Sequence, residues 1–95
     1  MEIPLAFIFR RCPPRYYLEL RLWGIRLASL SPCPWAEEIN EDQLPEYIKD
    51  KFVVIVGDKA LAKRLEVAYA TYKEVERFLD YLKKELSPVY MPYLQ

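Results

Sequence analysis

Leu61, Leu65, Ala68, Tyr72, Val75, Leu79, Leu82 and Leu86 recur at alternating steps of four and three residues. That is a heptad seam, and no Gly or Pro interrupts it. The spacing predicts one long amphipathic helix over residues 59–86, capped by Asp58 and stopped at Ser87-Pro88. Ala62, Tyr69 and Phe78 widen the stripe, and Val67 and Tyr81 add apolar surface further round. A stripe that wide suits a helix lying on a sheet better than a narrow coiled-coil seam.

Such a helix, of about 28 residues, would run roughly 42 Å. A compact chain of this length is about 32 Å across. The helix should therefore overhang its own domain and expose Phe78, Leu79, Tyr81, Leu82 and Leu86. Exposed apolar patches of this kind mark association. These five residues are the expected protein interface, and the expected function is a non-enzymatic interaction subunit, either a homo-oligomer or a component of a larger assembly.

The rest of the chain supplies the expected sheet. Ile3, Leu5, Phe7 and Phe9 alternate with Pro4, Ala6, Ile8 and Arg10, the period of a strand, and Pro4 suits a strand start or an edge. In residues 16–30, Leu18, Leu20 and Leu22 alternate with Tyr17, Glu19, Arg21 and Trp23, and the phase flips at Gly24. The flip reads as a bulge in one bent strand or as a hairpin turn at Trp23-Gly24. A helix is the competing reading, because Leu20, Trp23, Leu27 and Leu30 share a helical face. Residues 35–51 read as an acidic helical segment restarted at Pro45, and Phe52–Val56 as a buried strand. The tail, residues 87–95, is expected to fold back on the core.

The expected fold class is thus α+β: one domain of 95 residues, with an antiparallel sheet of three to four strands. The long C-terminal helix and the shorter acidic one would pack against that sheet. A content of 53% hydrophobic and 29% charged residues excludes a disordered chain. The net charge of zero removes any bulk attraction to nucleic acid or membrane. Locally the charge is +3 over residues 1–35, −5 over 36–50 and +2 over 51–95, which reads first as internal neutralisation.

No stretch is long and apolar enough to span a bilayer, and the order of Ile3–Phe9 before Arg10-Arg11 is wrong for a signal peptide. A cytoplasmic location with no membrane partner is expected. The chain has no His, one Asn, one Thr and two Gln beside many charges, a pattern of hyperthermophile proteins, archaeal or viral.

Chemistry is sparse. Without His there is no Ser–His or Cys–His pair, and no two carboxylates are spaced for acid–base work. Gly57-Asp58-Lys59 has one Gly where a phosphate loop needs several. Glu37, Glu38, Glu41 and Asp42 lack the spacing of a calcium loop. No catalytic residue, metal or cofactor is therefore expected. Cys12 and Cys33 cannot complete a zinc site. They meet as a disulfide if Trp23-Gly24 is a hairpin turn, and otherwise remain two reduced thiols. The alternative function is a single-strand nucleic-acid module built on Arg10, Arg11, Arg15, Tyr17, Arg21 and Trp23, which interleave base with aromatic.

Overall fold

Two apolar runs, Leu-Ala-Phe-Ile-Phe and Phe-Val-Val-Ile-Val, have no polar alternation at all. A strand of that kind must be covered on both faces, which is the condition of a parallel sheet. In the computed structural model, which describes residues 5–85, these runs are β1 (Leu5–Phe9) and β4 (Phe52–Val56), paired in parallel from Leu5↔Phe52 to Phe9↔Val56. With β2 (Arg26–Ser29), β3 (Glu37–Glu38) and β5 (Ala68–Ala70) they form a five-stranded sheet in the order β3-β2-β1-β4-β5. Every pairing is parallel.

The expected antiparallel sheet of three to four strands is therefore overturned, although helix and strand do combine. β1 is the middle strand, not an edge. Its Ala6 and Ile8 are as deeply buried as Phe7 and Phe9. The apparent alternation came from counting Ala6 and Ile8 as the lesser partners, when both face a second apolar layer.

Parallel neighbours need crossovers, and these cover both faces. On one face Phe7, Phe9, Leu27 and Val56 meet Tyr17 and Leu20 from residues 15–23 and Val75, Leu79 and Leu82 from α3 (Tyr72–Glu85). On the other, Ala6, Ile8, Ala28, Val53 and Ile55 meet Leu44 of α1 (Leu44–Tyr47) and Leu61 and Ala62 of α2 (Lys59–Leu65). None of the helices among the described residues is long and apolar enough to cross a membrane.

The long helix is also corrected. Residues 59–85 hold α2, β5 and α3 in succession, and the longest helix among the described residues has 14 residues. Glu66 adopts a left-handed conformation with φ 59°. Around it Val67 N–H reaches the Ala62 carbonyl and Glu66 N–H the Lys63 carbonyl. This bond pair is the Schellman closure of a helix end. Thr71 then starts α3 with a capping box, its Oγ1 accepting from Glu74 N–H while Glu74 Oε1 accepts from Thr71 N–H. The seam is thereby divided: Leu61 serves one face of the sheet and Val75, Leu79 and Leu82 the other.

Residues 35–51 hold β3 and a short helical turn from Glu41 to Tyr47, not one acidic helix. The crossover from β1 to β2 is a 3₁₀ helix over Arg15–Trp23, not a strand. With three residues per turn, every third side chain stacks. Tyr17, Leu20 and Trp23 make the inward column, and Gly24, at φ 80°, ends the helix.

Cys12 and Cys33 are joined by a disulfide, with their Cα atoms 5.1 Å apart. No hairpin brings them together. Phe9 and Ser29 are register partners at the carboxyl ends of adjacent parallel strands, so the loops that follow leave from the same end of the sheet. Trp35 Nε1–H donates to the Pro13 carbonyl at the same joint, 2.8 Å away.

Candidate functional site

In this strand order the chain goes from β1 to β2 on one side and returns to β4 on the other. The loops after β1 and β4 then leave toward opposite faces. Open parallel sheets bind ligands in the crevice this opens beyond their carboxyl ends. Here the chain's own side chains occupy it. Arg10, immediately after β1, places Nη1 2.9 Å from Glu41 Oε1 and Nε 3.3 Å from Asp58 Oδ2. Glu41 also takes Arg64 Nη2 at 3.1 Å, and Asp58 Oδ1 accepts from Leu61 N–H to cap α2.

On the opposite face Tyr72 closes the crevice. Gly57 has φ 87°, and a Cβ there would lie 2.5 Å from the Tyr72 ring. The Tyr72 hydroxyl accepts from Arg11 N–H at 2.9 Å and donates to the Arg11 carbonyl at 2.8 Å. Buried Tyr17 sits behind it, its hydroxyl 2.8 Å from Glu76 Oε2 and 3.0 Å from the Tyr72 carbonyl. Burial first, and then the bond to Glu76, push the Tyr17 phenol far up. Bonds from Tyr16 and then Tyr17 hold the Glu76 carboxyl down. The result is a clamp holding the crevice shut.

Hydrogen bonds from Arg10 and then Arg64 hold the Glu41 carboxyl below its ordinary 4.5. The bond to Glu41 raises the Arg10 guanidinium in turn. A carboxyl depressed in the folded state stabilises the fold above its unfolded pKa, and that contribution is lost as pH falls through the folded value. The urea midpoint is therefore expected to drop between about pH 5 and about pH 3. Glu41→Gln should flatten part of that drop; an unchanged slope would show that the pair contributes nothing.

The residues proposed for nucleic-acid binding do not form one platform. Tyr17 is fully buried and Trp23 is half-buried against the core, so neither offers a face for stacking. Arg10 is engaged by two carboxylates, while Arg15 and Arg21 lie with Leu18 on another column of the 3₁₀ helix. Arg11 is exposed, but its backbone belongs to the Tyr72 clamp. The expected interface is also dispersed. Leu79 and Leu82 are core residues, Phe78 packs on the Phe7 ring at 6.0 Å, and Tyr81 is exposed. Leu86 lies outside the described residues. The overhang that placed them on the surface disappears with the shorter helix.

Among the described residues the two flanks of the sheet are unequally guarded. β3 is two exposed glutamates, a short charged edge of the kind that resists strand addition. β5, Ala68-Tyr69-Ala70, ends the sheet on the other side with no charge and no Pro. Ala68 and Tyr69 are exposed there. Sequence reasoning missed this edge because it lay inside the heptad seam; the signal that reveals it is Thr71-x-x-Glu74, which starts a new helix.

Among the described residues no group of three or more Asp, Glu, Cys or His could hold a metal ion. Comparison with protein-family models, with curated proteins and with solved structures finds no match.

Proposed function

We propose that this chain is a non-enzymatic interaction subunit that assembles by adding a partner strand to β5. The carrying observation is the unequal guarding of the two edges: Glu37-Glu38 on one side, uncharged Ala68-Tyr69-Ala70 on the other. Backbone N–H and C=O groups of an edge strand are a template for a second chain. The clamped crevice adds support, since the position where such sheets take small ligands is filled by Arg10, Asp58 and Tyr72. The amide-poor, charge-rich composition and the disulfide suit the cytoplasm of a hyperthermophile, where intracellular disulfides persist. The nucleic-acid reading is not carried further, because its two aromatics are packed inside.

Affinity capture with the full chain as bait tests this, comparing wild type with Tyr69→Lys in an extract of the native source. A lysine on an edge strand opposes strand addition without disturbing the core. A partner, another copy of the chain included, held by wild type and lost with Tyr69→Lys is the expected result. Equal capture by both baits overturns the proposal.

A further inference from the structure

We infer that the partner at β5 is a second copy of this chain, paired antiparallel about a two-fold axis beside Tyr69; this rests on the interaction reading above. Such an axis stands normal to the sheet and keeps like faces together. Tyr69 is the register partner of Ile55, which packs with Leu61 and Ala62, so Tyr69 belongs to the α2 face. It is 37% exposed there, a large aromatic that the described residues leave partly uncovered.

The geometry of α2 supplies that cover. α2 packs on both β4 and β5, so its axis lies between them. Strands sit about 4.8 Å apart, so pairing β5 with its copy sets the two α2 axes roughly 10 Å apart. Packed helices keep a distance of about 8–10 Å. The two Tyr69 side chains then lie beneath an antiparallel helix pair, facing each other across the new ladder.

The charges select this arrangement. α2 begins at Lys59, on one flank of the helix, and is closed at its other end by the left-handed Glu66. Arg64 projects from the opposite flank, reaching inward to Glu41. The Lys59 flank accordingly looks outward, over the β5 edge, and Glu66 leads through Val67 into β5 itself. Both residues are exposed, and neither makes an ion pair among the described residues. An antiparallel copy brings Lys59 of one chain to Glu66 of the other, twice. A copy laid parallel would set like against like.

A three-residue strand and a short helix bury little, so the dissociation constant should be about micromolar or weaker. Sedimentation equilibrium of the intact chain from about 10 μM to about 1 mM tests the pairing. The expected result is a monomer–dimer equilibrium. Tyr69→Lys should weaken it by about tenfold or more. Lys59→Glu and Glu66→Lys should each weaken it by about tenfold, because every substitution occurs twice across the axis. Combining the two should restore the constant to within about threefold of wild type. Circular dichroism on each variant checks that the fold is kept. A monomer at every concentration overturns self-pairing; if Tyr69-dependent capture survives, the interaction reading stands with a different partner. A dimer indifferent to Tyr69→Lys and to the charge exchange overturns pairing through β5 itself.

Discussion

Replacing both cysteines, as Cys12→Ser with Cys33→Ser, is expected to lower the unfolding free energy by about 3 kcal/mol. The loop they close spans 21 residues of sequence separation and includes the entire 3₁₀ helix and β2. In a domain of this size that loss corresponds to a fall of roughly 15 °C in Tm. Reductant should produce the same fall in the wild type and none in the double variant. Matching melts for oxidised and reduced wild type would mean that the bond constrains nothing the fold needs. The position of the bond argues otherwise. It ties the loops after the two strands β1 and β2 at the end of the sheet where Arg10 and Tyr72 form the clamp.

Leu79→Ala is the second large effect. Leu79 is 2% exposed in the cluster that contains Phe7, Phe9 and Tyr17, so its truncation leaves a cavity under α3. The expected cost is about 3 kcal/mol, against a change within about 0.5 kcal/mol for Tyr81→Ala on the exposed side of the same helix. Urea melts of the two variants separate a core helix from a docking helix. If Leu79→Ala left stability intact and reduced association, the α3 face would be an interface after all. Neither substitution should change self-association, since the proposed pairing runs through β5 and α2.

How much of this was legible depends on which period was read. The continuous apolar run Phe52–Val56 announces a strand covered on both faces, and the structure places it between β1 and β5. Residues 5–9 carry the same signal once Ala6 and Ile8 are counted as apolar, and two such strands require a parallel sheet and crossovers. Arg15–Trp23 misled for a different reason. Leucines at every second position and Tyr17, Leu20 and Trp23 at every third coexist in the same nine residues, and only packing against Phe9 and α3 selects the second period.

The heptad seam fails more instructively. α2, β5 and α3 each meet the local need for apolar residues, and their joints happen to preserve the four-three spacing. The joints themselves carried two kinds of signal. Thr71 and Glu74 spell a capping box in plain sequence. The left-handed turn at Glu66 has no Gly to mark it, so the end of α2 could not be read from composition. The clamp of Arg10, Glu41 and Asp58 joins residues 31 and 48 positions apart in the chain, and nothing short of the strand order brings them together.

The Glu37-Glu38 edge has a consequence for how far assembly can go. A sheet with two open flanks adds copies head to tail and grows into a fibre. Among the described residues this one has a single uncharged flank, and the proposed two-fold pairing would consume it. The ten strands of the proposed pair would finish at both ends in the same acidic pair, so among the described residues neither end of that sheet would offer an uncharged edge for a third chain.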